Sequence, residues 1–186
     1  MTQRRVVIAL GTAQTLGWGS TFYLPAILAT PMADGLGLST SQIYAAFSVG
    51  LAVSAVLGPA AGRRIDRLGG RETLAAANGA FAAGLLMLGL ATGPVMLFAA
   101  WIVIGIGMAF GLYEAAFATV TRIYGRDARS AITGITLIAG FASTVAWPVT
   151  AALDVSLGWR GACLVWAGVQ LAVALPLNLS LPRGGP

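Results

Sequence analysis

Glu114 is the acidic side chain set deepest among apolar residues, inside the run from Val95 to Tyr124. Counting back from Tyr124 at about 1.5 Å per residue puts it roughly 15 Å from the end of that run. A carboxylate that deep in a bilayer is costly unless it is protonated, paired or wetted. The chemistry open to it is binding of a proton or cation, or lining of a solute path. The plainer alternative is a structural carboxylate bonded to a neighbouring helix, or paired with Arg122 or Arg71. A second constellation is Gly62-Arg63-Arg64-Ile65-Asp66-Arg67-Leu68-Gly69-Gly70-Arg71. Ion pairs at helix ends can form in one conformational state and break in another, so Asp66, Arg67 and Arg71 suit a gate. The alternative is a loop whose arginines only hold orientation. A third group lies in the first apolar run: Gln14, Thr15, Trp18, Ser20, Thr21 and Tyr23. Trp18 and Tyr23 suit the wall of a pocket, and Gln14 can donate hydrogen bonds to a carboxylate. Against that, Ser and Thr in such a run often bond to their own helix or glue it to another.

These residues need a frame, and the composition supplies one. The chain is 58% hydrophobic, has mean hydropathy +0.84 and is 9% charged, against about a quarter charged for a soluble domain. Apolar runs longer than about 18 residues recur, each enough to cross a hydrocarbon core of roughly 30 Å. The expectation is an all-α membrane protein, a single domain over residues 1–186. Its six spans fall near 6–28, 40–61, 72–91, 95–124, 130–153 and 159–179. An outer-membrane barrel would instead show alternating segments of about ten residues. Ser39, with Gln42 three residues on, reads as a capping box opening the second span. Asp34-Gly35-Leu36-Gly37 reads as a turn before it, and residues 62–71 as the loop after it. Thr92-Gly93-Pro94 is so short a turn that spans three and four should be antiparallel neighbours.

With the N-terminus inside, arginines 4, 5, 63, 64, 67, 71, 122, 126, 129 and 183 fall on the cytoplasmic side and Arg160 alone falls outside. That bias predicts a multi-pass protein of the plasma membrane, a bacterial inner membrane, with both termini cytoplasmic. Pro59 and Pro148, and likewise Gly50 and Gly140, lie about 90 residues apart in spans two and five, the spacing of a three-plus-three inverted repeat. The net charge of +5 sits in loops rather than on a basic face, so nucleic acid is not expected as a partner. The chain has no His and no Lys, and one Cys. An internal disulfide is excluded, an intramembrane Ser-His dyad cannot form, and no Gly-x4-Gly-Lys-Ser/Thr phosphate loop is present. No enzyme activity, metal or cofactor is expected. Arg4 and Arg5 precede a run too long for a cleaved signal peptide.

The 62–71 segment resembles the cytoplasmic signature between spans two and three of the major facilitator superfamily, through Gly62, Asp66, Arg67, Gly69 and Arg71. Gly70 departs from it, standing where that family usually has Arg. Gly158-Trp159-Arg160 at the start of span six is also common there. The resemblance implies a six-transmembrane-helix bundle, the N-terminal half of that fold. It also implies that spans one and four line a central cavity, with Gln14, Trp18, Thr21 and Tyr23 as lining residues and Glu114 as a proton or substrate site. The function implied is secondary active transport of a small solute by alternating access, with a second six-helix half as partner: a C-terminal half or a second copy. The Tyr113-Glu114-Ala115-Ala116 run and the Gly140–Arg160 segment resemble members related to the monocarboxylate and oxalate/formate group, hence an organic anion. Trp101 stands where proton-coupled drug exporters carry an Arg, which disfavours drug antiport. The alternative is a non-transporting membrane interaction protein or an inactive half-transporter remnant.

Overall fold

The computed structural model describes residues 1–182; Arg183, counted above among the arginines of one side, lies outside the described residues. Among the described residues the chain is helical almost throughout and has no strand. α1 (Gln3–Ser20) and α2 (Leu24–Leu36) form one column broken at Thr21–Tyr23. The break has a local cause. Pro25 brings no N–H, and its ring collides with the carbonyl four residues back, that of Thr21. Thr21 accordingly leaves the helical region, at φ −124° and ψ −79°. α2 runs on through Pro31 and closes at Gly37, whose φ of +65° a residue with a Cβ would resist. The expected turn at 34–37 is therefore helix up to its last residue.

α3 (Thr40–Leu68) opens with the Ser39–Gln42 capping box. It continues seven residues past the apolar stretch that suggested an end near Ala61, about 10 Å further. Gly62, Asp66 and Arg67 thus belong to a helix end rather than a loop. Arginine is a good helix former, and Arg63, Arg64 and Arg67 carry the helix past the loss of hydropathy at residue 62. The turn before α4 (Gly70–Gly89) shrinks to Gly69, at φ +89°. α5 (Pro94–Gly111) and α6 (Tyr113–Tyr124) form a second broken column, interrupted at Leu112, where the backbone is extended. A short 3-10 turn at Gly125–Asp127 leads to α7 (Ala128–Ala139), and α8 (Ala142–Val169) follows with a sharp bend at Gly158. Five residues of π-helix, Gln170–Ala174, and α9 (Leu175–Leu179) complete the last column.

The two broken columns match segment for segment. α1 and α5 each have 18 residues, while α2 has 13 and α6 has 12. Their breaks lie about 90 residues apart, as a repeated three-helix unit would have them. α5 lies against α3 and α4, α1 against α7 and α8, and α4 against the last column. Small residues let the backbones touch. A Cβ placed on Gly105 would sit 2.3 Å from the Gly50 carbonyl oxygen, and one on Gly19 would sit 2.6 Å from Ala146. One core cluster surrounds Phe81, Trp101 and Trp166, and a smaller one joins Leu10, Ile65, Leu74, Val120 and Ile135.

Side chains tie both ends of the bundle. Gln3 Nε2 donates to Ser130 Oγ at 2.9 Å, and Arg122 donates to the carbonyls of Ile65, at 3.2 Å, and Asp66. A guanidinium from α6 therefore closes the last turn of α3. At the other end Arg160 donates to the carbonyl of Ala91 at 2.6 Å and lies 4.1 Å over the Trp159 ring. Every described arginine except Arg160 lies at the Gln3–Ser130 end. Thr40–Leu68 and Gly70–Gly89 are long and apolar enough to cross a membrane, as is sequence within the interrupted helical stretch Pro94–Leu179.

Candidate functional site

The break in α1–α2 and the break in α5–α6 meet at an array of aromatic rings. Trp18, one turn before the first break, lies 5.0 Å from Tyr113, the first residue of α6. Tyr113 stacks on Phe117 at 5.1 Å with 11° between the planes. On the other side Trp18 meets Phe22 at 5.1 Å and Tyr23 at 6.2 Å. Phe22 leads on to Phe47 and through it to Trp101, and Tyr23 to Trp147 of α8. Offset and edge-on pairs at these distances each contribute about 0.5–1.5 kcal/mol beyond their burial. The array therefore joins α1, α3, α5, α6 and α8 at the level of the breaks. Trp18, Tyr23 and Tyr113 are half-buried, while Phe22 and Trp147 are exposed.

Gln14 and Thr21, expected to line a cavity with Trp18 and Tyr23, are enclosed by helix backbone in this state. Thr21 Oγ1 donates to the Gly17 carbonyl at 2.7 Å. Gln14 Nε2 donates at 2.7 Å to the carbonyl of Gly111, one of the acceptors that the break at Leu112 leaves without a helical partner. The side chain thus stitches α1 to the end of α5. Gln14 Oε1 is buried and has no hydrogen-bond partner among the described residues, and neither has Trp18 Nε1. An acceptor and a donor four residues apart share one helix face. Leaving a buried polar group unpaired costs about 1–3 kcal/mol.

Glu114 is exposed on this bundle and takes part in no hydrogen bond or ion pair among the described residues. Its setting differs from the one the sequence implied. The extended residue Leu112 starts a new helix, and Glu114 stands in its first turn. Free N–H groups and the positive end of the helix dipole favour a carboxylate there. Arg122, the expected ion-pair partner, is instead bonded to the end of α3.

A residue set that the sequence did not bring together lies behind the array. Asn78 Nδ2 donates to Gln170 Oε1 at 2.7 Å, Gln170 Nε2 donates to Ser20 Oγ at 2.7 Å, and Asn178 Nδ2 donates to Asn78 Oδ1 at 2.7 Å. All four side chains are buried. Gln170 is the first residue of the π-helical stretch, where one extra residue per turn swings it toward α1 and α4. The available signal was three amides in otherwise apolar spans. Asn78 bridges α4 to the last column.

At the arginine end, Asp66 and Arg67 are exposed on the last turn of α3 and Arg71 is half-buried at the start of α4. Among the described residues, Asp127 contributes its backbone carbonyl to Gln3 and Ser130, with no ion pair to these arginines. Gly70 sits against α6: a Cβ there would lie 1.9 Å from Thr119 Oγ1. The departure at this position has a physical reason, because no side chain fits. Among the described residues no group of three or more His, Cys, Asp or Glu could hold a metal ion.

A family model described as Major Facilitator Superfamily matches residues 9–185. A protein of Thermoproteus tenax, described as an uncharacterized 38 kDa protein in the 23S RNA operon, is 32% identical over 163 residues, 85% of this chain and 42% of that protein. The chain therefore spans less than half the length of that relative.

Proposed function

The chain belongs to the major facilitator superfamily, a family of transporters, and from that premise we propose that it is one six-helix half of a secondary transporter for a small organic anion. The reading rests above all on the aromatic array, which joins the two broken columns around the unpaired Gln14 Oε1 and Trp18 Nε1. Broken helices that turn a positive end toward a cavity favour anionic groups. Here that end is the N-terminus of α6. An anion there and the Glu114 carboxylate would repel each other, so anion and proton are expected to enter together. Substrate carbons would lie on Trp18, Tyr23 and Tyr113.

Alternating access needs a second half. Only 17% of the most apolar window of α3 is buried, and its small residues Ala45, Ser48, Ala52 and Ala55 are exposed at helical three-and-four spacing. Small side chains in that register suit close packing with another helix. A C-terminal half or a second copy would dock there, and Asp66 and Arg71 would pair with it in one state and release it in the other. The arginine-rich end is read as cytoplasmic.

The test is counterflow uptake in proteoliposomes with a panel of labelled monocarboxylates and dicarboxylates, after light scattering has established the oligomeric mass in detergent. Saturable uptake that Trp18→Ala lowers at least tenfold supports the reading. A stable two-half assembly that moves none of these anions overturns it.

A further inference from the structure

A groove of about 210 Å³ runs along α4 and α5, outside the aromatic array. Ala76 and Ala80 floor it, Ile106 and Phe110 wall it, and Arg64 and Thr73 close one end. From Ala80 to Thr73 the helix rises about 10 Å. Ala76 is exposed and Ile106 is 38% exposed, so the groove opens to the outside of the bundle. Next to it lies a cavity of about 380 Å³ lined by Arg63, Arg64 and Arg67 with Ala60 and Leu68. Arg64 lines both. None of these three guanidiniums makes a hydrogen bond or ion pair among the described residues.

We propose that the groove and the arginine cavity together bind one anionic phospholipid. The phosphate sits among Arg63, Arg64 and Arg67, whose planar forks match phosphate oxygens, and one acyl chain lies along Ala76, Ala80, Ile106 and Phe110. The chemistry of the two compartments selects the ligand. A small phosphate would leave the apolar groove unused, and a neutral lipid would leave three guanidiniums unanswered. Basic pockets between spans are a recurrent way of holding anionic headgroups. The inference needs the chain to lie in a membrane but does not depend on transport.

The experiment is native mass spectrometry of the purified protein in detergent, titrated with phosphatidylglycerol or phosphatidylcholine of identical chains. One retained phosphatidylglycerol per chain, preferred over phosphatidylcholine, is expected. Arg64→Gln should weaken that preference about fivefold, the effect of one basic residue at an anionic surface. Arg4→Gln, at the same end but away from the groove, should leave it unchanged. Ala80→Phe should weaken retention of both lipids alike, and Ala76→Leu, at an exposed position that tolerates bulk, should do so more mildly. Equal retention of the two lipids overturns the proposal, and so does an equal response to Arg64→Gln and Arg4→Gln. Glycerophosphoglycerol, the headgroup without chains, should compete poorly; competition as strong as the lipid's would make this a phosphate site and refute a lipid one.

Discussion

Replacing Gly70 by alanine should destabilise the bundle at the junction of α3, α4 and α6. The added Cβ would lie 1.9 Å from Thr119 Oγ1, 2.3 Å from its Cγ2 and 2.5 Å from its Cβ. All three are far inside van der Waals contact. Thr119 has little freedom to yield, because it is buried and its hydroxyl donates to the Ala115 carbonyl at 2.7 Å. Overpacking of a tight contact typically costs about 1–3 kcal/mol. For a chain of this length that corresponds to a midpoint lowered by roughly 2–12 °C. The chain carries its own reporter: Cys163 is its sole cysteine and is buried, so a thiol-reactive dye labels it as the bundle opens. Thr119→Ala removes two of the three clashing atoms and should recover part of the loss, and Thr119→Gly should recover more. Each is read as the coupling term of a double-mutant cycle, so that the helix cost of the substitution at position 119 itself cancels. Gly70→Arg carries the same Cβ and should be at least as damaging. An alanine variant as stable as the parent would refute the reasoning, as would absence of coupling between positions 70 and 119.

Gln170→Leu should cost about 1–3 kcal/mol by stranding Asn78 Nδ2, visible in the same dye assay, whereas Ser20→Ala should cost less because Gln170 retains the Leu16 carbonyl. Arg122→Ala should loosen the last turn of α3, read as faster amide exchange at Ile65–Gly69, with Arg122→Lys intermediate. Glu114→Gln should flatten the pH dependence of anion uptake while leaving thermal stability within about 0.5 kcal/mol, the range for an exposed substitution; uptake that keeps its pH profile would remove Glu114 from the coupling step.

The sequence carried the membrane class and the helical character, because hydropathy over 18 or more residues reports burial in lipid directly. It also carried the capping box at Ser39, a local device with a local signature. What it did not carry were the events decided by contacts between spans. The end of α3 at Leu68 was hidden because residues 62–68 lose hydropathy without losing helix propensity. The break at Leu112 has no proline to announce it, so Glu114 read as a mid-helix charge rather than a first-turn one. Gln14 read as a free donor because its acceptor exists only where that break strands the Gly111 carbonyl. Gln170 is one polar residue in an apolar run, and only the π-helical turn reveals its direction. The signature residues of 62–71 were legible as a motif, but the reason for Gly70 lay about 50 residues away, at Thr119.

The two guanidinium clasps impose an order on assembly. The carbonyls that Arg122 closes belong to residues made 56 and 57 positions earlier, and those closed by Arg160 were made 69 and 71 positions earlier. Both donors come from later in the chain, so the ends of α3 and α4 gain these bonds only once Arg122 and Arg160 have been made. Each clasp thus ties the register of a later helix to the end of an earlier one.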